Sequence, residues 1–246
     1  MFSAAPVVLL SPLVLLAGTP SGLGVVVVGL ALVGVAVATC HLAVGALVPH
    51  ARAGAGAVAT QASTNPHYGR DALDLLAGGS TPEDVVRRLT APDRGRDHRQ
   101  LHLVDTRGRA AAWTGAAAVP WAGHRSADNL SAAGNMLAGP QVIDALLRAA
   151  QESPGLALPE RLLQALEAAE AAGGDKRGRM SAALYVVAHE RYPAVDLRVD
   201  FAAAPLPALR QLLDEHGKTY VQRFRAALPT HRDPGRSVSD VADSEP

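Results

Sequence analysis

The sequence has very little cysteine and lysine, and its first 51 residues contain no charged side chain. Cys40 is the only cysteine among 246 residues, which excludes an intrachain disulfide framework and any cysteine-rich zinc or iron–sulfur site. All but two of the 23 basic residues are arginines, and 23 acidic residues balance them. A neutral chain has no overall field to attract nucleic acid or anionic lipid, so we expect neither as a partner.

The uncharged opening segment contains two apolar runs, at 7–18 and 23–48. The first has the length of a secretory signal, but it lacks a basic start and contains Pro12. The second is long enough for a membrane helix, for which about 18 to 20 residues suffice. Its many valines instead favour a pair of strands covered on both faces. We therefore expect buried strands, no membrane span and a cytoplasmic protein, with a membrane helix and export through a signal-like N-terminus as the alternatives.

After Arg52 the pattern separates into short strands and helices. Strands are predicted at 57–62, 99–105, 109–115, 180–188 and 194–201, and helices at 70–77, 80–89, 140–150, 159–172 and 206–228. Strands and helices that come in separate groups are typical of α+β layers and not of βαβ units. We expect an apolar extension or signal-like segment at 1–18, one domain at 19–228 and a mobile polar tail at 229–246.

Most familiar catalytic motifs are missing, and two polar segments stand out. There is no dinucleotide fingerprint, P-loop or GxSxG elbow, and the nine histidines show no metal-ligand spacing, so we expect no metal site. In GGDKRGRMSAAL (173–184), Arg177 could bind a carboxylate through two parallel hydrogen bonds, although a simple polar turn has the same composition. In GNMLAGP (134–140), Asn135 could donate to a developing oxyanion or cap the following helix.

These two segments belong to a longer series of motifs. Together with GVAVATCHLAVGALVPHARAG (34–54), GAVATQASTNPHYG (56–69), DRGRDHRQLHLVD, AAWTGA and WAGH, they resemble in order and spacing one bacterial family, domain of unknown function 1028. That family is assigned to the N-terminal-nucleophile (Ntn) hydrolase superfamily, and the resemblance covers about 34–213. It implies a four-layer αββα sandwich of two antiparallel sheets. It also implies an amidohydrolase in which a Thr, Ser or Cys at the mature N-terminus attacks an amide carbonyl, with its own α-amino group as base.

The start of the sequence departs from this family. The family typically begins with Thr after the initiator Met, whereas this chain begins Met1-Phe2-Ser3. Thr19 is our candidate nucleophile, because a cut after Gly18 would expose it at the head of the valine-rich strand. A misassigned start, an altered N-terminus and a pseudoenzyme are the alternatives. Cys40 is predicted to be a small buried hydrophobe.

We therefore expect a hydrolase of a small amide, lactam or acyl-amino compound that needs no cofactor. The resemblance and the polar segments predict four catalytic residues, Thr19, Asn135, Asp175 and Ser181, and three substrate-binding residues, Arg177, Asn65 and His67. A catalytically silent Ntn-fold ligand-binding or scaffold protein is the alternative function. Homo-oligomerisation is plausible, because sheet edges and a long C-terminal helix need cover.

Overall fold

The computed structural model describes residues 22–28 and 32–237. These residues contain ten strands and six α-helices. The strands are β1 (Leu23–Val28), β2 (Val33–Thr39), β3 (Pro49–Arg52), β4 (Gly56–Ala62), β5 (Arg99–Asp105), β6 (Ala110–Thr114), β7 (Gly123–Ala127), β8 (Leu130–Gly134), β9 (Ser181–Val187) and β10 (Val195–Val199). The helices are α1 (Pro66–Ala77), α2 (Pro82–Thr90), α3 (Pro140–Glu152), α4 (Leu158–Ala171), α5 (Pro205–His216) and α6 (Thr219–Ala226).

The strands form two antiparallel sheets that face each other. The larger sheet has the order β10-β9-β2-β1-β8-β7 and the smaller one β3-β4-β5-β6. Contacts of β1 with β4 and β5, and of β5 with β8, join the two inner faces. Helices α3, α4 and α5 pack against the larger sheet, and α1 and α2 against the smaller one. The predicted pair of antiparallel sheets with helices packed on them is confirmed as a mixed α/β sandwich.

Strands β1 and β2 show why the valine-rich run is interior sheet. Val25 and Val27 belong to the core shared with α3 and α4, whereas Val26 and Val28 pack between the two sheets. Alternate residues of a strand point to opposite faces, so a strand covered on both faces is apolar throughout. The prediction of buried strands is confirmed, and no helix among the described residues is long and apolar enough to cross a membrane. The apolar run at 7–18 lies outside the described residues.

Two helix predictions need correction. The predicted single helix at 206–228 is two helices, because α5 ends at His216 and α6 begins at Thr219. Gly217 follows α5 and has a low helix propensity, so the helical repeat is interrupted there. Helix α1 begins four residues earlier than predicted, at Pro66, because the Asn65 side chain caps it and proline fits the first helical turn.

Three strands were missed by the sequence prediction. β3 is a four-residue edge strand that contains proline, and β7 and β8 have the sequences GHRSA and LSAAG. Glycine, alanine and serine carry no strand signal of their own. β8 is nevertheless fully buried, because it pairs with β1 and β7, α3 covers one of its faces and β5 of the smaller sheet covers the other.

Candidate functional site

Asp175 is the centre of a dense hydrogen-bond cluster at the end of β2. Its side chain is 4% exposed and forms a two-pronged ion pair with Arg177, whose Nη2 lies 2.6 Å and Nε 3.0 Å from the carboxylate. The carboxylate also accepts from the Cys40 backbone N–H at 3.2 Å and from the Thr39 hydroxyl at 3.4 Å. Arg177 Nη2 lies 3.3 Å from the same hydroxyl, so the arginine, the aspartate and the end of β2 form one unit.

The turn that carries Asp175 is built from glycines and is paired with the segment after β8. Three glycines in it have positive φ, a backbone region that side chains avoid: Gly173, Gly174 and Gly178. Leu137 forms a β-bridge with Asp175, and the Lys176 N–H donates to the Met136 carbonyl at 2.9 Å. The pairing brings Asn135 to the same end of the sandwich as Asp175.

Asn135 is completely buried and is bound to the first described residue of the chain. Its backbone N–H donates to the Gly22 carbonyl at 3.0 Å. Its Nδ2 group donates to that carbonyl at 3.4 Å and to Gln100 Oε1 at 3.1 Å. Its Oδ1 atom is buried and has no hydrogen-bond partner among the described residues. The end of the Asn135 amide that faces these two acceptors must be the nitrogen, Nδ2, and the opposite end is therefore the oxygen, Oδ1.

Two buried glutamines complete the amide cluster. Gln61 Nε2 donates to Gln100 Oε1 at 2.7 Å and to the Ala133 carbonyl at 3.1 Å. Gln100 Nε2 donates to the Gly134 carbonyl at 2.9 Å. The two side chains come from β4 and β5 of the smaller sheet and bond to β8 of the larger one, so they join the sheets beside Asn135.

Gly22 lies between the aspartate cluster and the amide cluster. A Cβ atom on Gly22 would lie 2.5 Å from Thr39 Cβ and 2.8 Å from Thr39 Oγ1. On the other side, the Gly22 carbonyl accepts from Asn135. The chain therefore enters β1 between Thr39, which contacts Asp175, and Asn135.

Ser181 and Cys40 lie beside the aspartate and fix the turn that follows β2. The Ser181 hydroxyl donates to the His41 carbonyl at 2.5 Å and accepts from the Val44 N–H at 3.1 Å. The Cys40 thiol is half-buried and lies 3.5 Å from the Arg177 carbonyl, which it reaches as a weak donor. The prediction that Cys40 is a buried hydrophobe is therefore wrong, because β2 ends one residue before it and leaves it at the rim of the cluster.

His102 is another buried polar side chain close to the start of β1. Its Nδ1 atom lies 3.3 Å from the Ser131 hydroxyl, and Nε2 has no hydrogen-bond partner among the described residues. Burial lowers the pKa of His102 to about 3, with a smaller contribution from His124, so the ring is neutral at pH 7. A Cβ on Gly24 would lie 2.6 Å from Gln61 Oε1 and 3.3 Å from His102 Nε2, so only glycine fits there.

The predicted site residues do not all lie together. Asn135, Asp175, Arg177 and Ser181 lie around the start of β1 and the end of β2. Asn65 instead accepts from the His67 N–H at 3.2 Å and caps α1, and His67 is exposed. Among the described residues, no hydrogen bond or ion pair joins Asn65 or His67 to Asp175 or Asn135. The predicted nucleophile, Thr19, lies outside the described residues.

The chain matches one known protein family over most of its length. Residues 30–209 match the model of a family of unknown function, DUF1028. The chain belongs to the DUF1028 family. The crystal structure of protein SPO2555 from Silicibacter pomeroyi, also assigned to DUF1028, is similar with a TM-score of 0.83 and 34% sequence identity. The similarity covers 88% of this chain and 95% of that one. No curated protein matches the chain significantly.

Several residues at this site of the DUF1028 protein were not predicted from the sequence. Gln61 and Gln100 sit inside strands, where a single polar residue usually faces solvent. Thr39 is the last residue of a valine-rich strand and carries no motif of its own. The only available signal was a polar residue in a run that is otherwise apolar on both sides, as in AVATQA and RQLHLV. Metal-ligating side chains in groups of three or more are absent from the described residues.

Proposed function

We propose that this DUF1028 protein is an amidohydrolase of the Ntn superfamily that cleaves a small amide, lactam or acyl-amino compound. The convergence at Gly22 supports this proposal. There the start of β1 meets Asn135 on one side and Thr39, a partner of Asp175, on the other. An enzyme of this class needs the beginning of its mature chain beside buried polar groups, at the end of an interior strand.

Two hydroxyl residues precede Gly22 closely enough to serve as the nucleophile. Thr19 comes three residues and Ser21 one residue before it. Three residues of extended chain span at most about 11 Å, so either hydroxyl is tethered close to the cluster. Thr19 is our choice, because a cut between Gly18 and Thr19 would leave it as the first residue.

The reaction would run through an acyl-enzyme ester. The Thr19 hydroxyl oxygen forms a bond to the amide carbonyl carbon, and its proton moves to the free α-amino group of the same residue. The amine, whose ordinary pKa is about 8, then passes that proton to the leaving nitrogen as the C–N bond breaks. Water attacks the ester in the second step and restores the hydroxyl.

The geometry supports roles that differ from those expected for Asn135 and Arg177. Nδ2 of Asn135 already has two acceptors, the Gly22 carbonyl and Gln100 Oε1, whereas its buried Oδ1 has no donor among the described residues. We therefore propose that Asn135 Oδ1 accepts an N–H from the α-amino group and does not donate to the oxyanion. The Arg177 fork is bound to Asp175, so its proposed role is to hold that carboxylate in place and not to bind substrate. Ser181 is proposed to position the turn after β2.

The silent-scaffold alternative also has an observation in its favour. Asp175, Arg177 and Ser181 have their hydrogen bonds satisfied within the protein. Buried polar groups with this much internal pairing are common in structural networks. A chain that keeps this cluster without a nucleophile would retain the fold and could bind a ligand.

Processing and activity together test the proposal. Intact-mass analysis and N-terminal sequencing of the purified protein should show a mature chain that begins at Thr19. A panel of acyl-amino acids, lactams and primary amides, assayed by release of amine or ammonia, should identify a substrate. Thr19→Ala should lower its turnover by about a thousandfold or more, because the nucleophile is lost. The matched control Ser21→Ala removes the neighbouring hydroxyl and should leave turnover within a few-fold.

Three results would contradict the proposal or its details. A chain that keeps Met1 and hydrolyses nothing in the panel supports the silent scaffold. Activity that survives Thr19→Ala but not Ser21→Ala moves the nucleophile to Ser21. Activity that survives both substitutions excludes an N-terminal hydroxyl mechanism at this site.

A further inference from the structure

A second concave surface lies where the two sheets open at one edge. The edge strand β3 of the smaller sheet contacts β9 of the larger one there, and the segment 189–193 and residues 229–231 close the sides. The resulting groove has a volume of about 1260 Å³. Gly22, Asn135 and Asp175 do not line it, so this groove is separate from the cluster around the start of β1.

Positive charge is concentrated in this groove although the chain as a whole is neutral. Four arginines and two acidic residues line it: Arg52, Arg70, Arg191, Arg198, Glu190 and Asp196. An excess of one sign of charge on a concave wall focuses the field and raises the local concentration of ions of the opposite sign. The groove therefore favours anions.

Two of the four arginines are neutralised by neighbouring carboxylates. Arg198 Nε lies 3.0 Å from Asp196 Oδ1, and Arg52 Nη2 lies 2.8 Å from Asp74 Oδ1. Arg70 and Arg191, in contrast, are exposed, and their guanidinium groups make no hydrogen bond or ion pair with any residue that the structure describes. Each keeps a planar fork of N–H donors that matches a carboxylate or a phosphate.

The rest of the lining suits a small organic molecule. Val187 and the half-buried Tyr185 supply apolar surface, and the Tyr192 hydroxyl is fixed by donating to the Pro229 carbonyl at 3.0 Å. Sites for small molecules combine apolar walls with a few polar groups, and this groove is large enough for one. His50 lines the same wall, and its pKa is lowered chiefly by burial and further by the charge of Arg70, as expected in a positive field.

We propose that this groove binds a small organic anion that carries at least two carboxylate or phosphate groups, held by Arg70 and Arg191. The proposal does not depend on the amidohydrolase function, because no residue of that cluster lines the groove. A dianion offers a separate acidic group to each of the two free arginines, which a monoanion does not.

Titration calorimetry of the full chain with citrate and with pyrophosphate tests the proposal and separates the carboxylate from the phosphate source. We expect one saturable site for at least one of the two anions. Arg70→Gln and Arg191→Gln should each weaken that site about tenfold, since each removes a charge-assisted contact. The control Arg148→Gln removes an exposed arginine of α3 outside the groove and should change the affinity less than twofold. Raising the ionic strength to about 1 M should weaken binding, because charge interactions at the open groove are then screened.

Three outcomes would overturn the proposal. The first is that neither anion shows saturable binding to the folded protein, with folding checked by circular dichroism. The second is that Arg148→Gln weakens anion binding as much as Arg70→Gln and Arg191→Gln do, which would mean that the overall charge of the protein and not the groove attracts the anion. The third is tighter binding of a hexaglutamate peptide than of both small anions, which would assign the groove to an acidic protein partner.

Discussion

Removing the Asp175 carboxylate should destabilise the protein more than removing an exposed carboxylate that also pairs with an arginine two residues later. Asp175 is 4% exposed, and Arg177, its partner at 2.6 Å, is 22% exposed. In Asp175→Ala the arginine loses the carboxylate that it binds through two nitrogens, and the Cys40 N–H loses its acceptor. Breaking a buried ion pair costs about 3–5 kcal/mol, and an orphaned N–H adds about 1–3 kcal/mol. Because Arg177 keeps some access to water, we expect a loss of about 3 kcal/mol in the free energy of unfolding.

Asp196 and Arg198 provide a matched control within the same protein. They repeat the aspartate–x–arginine spacing and the two-pronged contact, at 3.0 Å and 3.3 Å, but are 32% and 42% exposed. Asp196→Ala should therefore cost less than about 1 kcal/mol. Urea unfolding followed by circular dichroism measures both losses, provided that the slope against urea is the same in each variant. Equal losses in the two alanine variants would refute the reasoning, because burial would then not decide the strength of the Asp175 pair.

Two further predictions concern the interior of the sandwich. Burial lowers the pKa of His102 to about 3, below the value near 6.5 in an unfolded chain. Because the unfolded chain takes up a proton below about pH 6.5 and the folded ring stays neutral, the free energy of unfolding should fall by about 2 kcal/mol between pH 7 and pH 5. His102→Gln should lose that part of the pH dependence in urea titrations at pH 7 and pH 5, and an unchanged dependence would contradict the prediction. Gly34→Ala should cost about 1–3 kcal/mol, since its Cβ would lie 2.7 Å from Leu162 Cδ1 and 2.9 Å from Val186 Cγ2. Leu162→Ala alone should cost about 2–5 kcal/mol. The double variant of Gly34→Ala and Leu162→Ala should lose less stability than the sum of the two single losses, because the new methyl group then has room. If the two losses measured by urea unfolding simply add, the contact between the methyl group added at position 34 and Leu162 does not exist.

Elements with a strong local signal could be predicted from the sequence. The valines of β1 and β2 indicated strands buried on both faces, and both cores they contribute to are present. β5 has the predicted bounds, Arg99–Asp105, because apolar residues alternate along it between short polar turns. α2 was predicted at 80–89, where Thr and Pro begin the helix, and Thr81 accepts from the Asp84 N–H at 3.3 Å.

Elements stabilised only by their neighbours could not be predicted. β7 and β8 consist mostly of small or polar residues, and they form strands because β1 offers β8 an unpaired edge. Strand preference of this kind depends on tertiary context more than on residue type. The break between α5 and α6 was missed for a related reason. The amphipathic pattern continues across Gly217, although the helix ends before it.

The same distinction applies to the candidate site. Asp175, Arg177 and Ser181 were visible because charged and small residues are adjacent in one segment, and local geometry brings them together. Asn65 and His67 form an equally conspicuous segment, but the asparagine is used to cap α1. A polar residue before a proline-led helix is as well suited to capping as to binding, so sequence spacing alone did not separate these two roles.

The amide cluster shows most clearly what the tertiary structure adds. Three side chains, Gln61, Gln100 and Asn135, are buried within the sandwich, and burying an amide without partners costs about 1–3 kcal/mol by mutational measures. Their N–H groups are paired with one another and with backbone carbonyls, among them that of Gly22, so the donors are accounted for. The exception is Asn135 Oδ1, an acceptor without a donor in the described chain. A packed core would place an apolar side chain there, so the unpaired acceptor marks a place for a donor that the described residues do not supply. The free amine of a processed chain would supply such a donor, and this is the physical reason to examine the N-terminus before any other part of the protein.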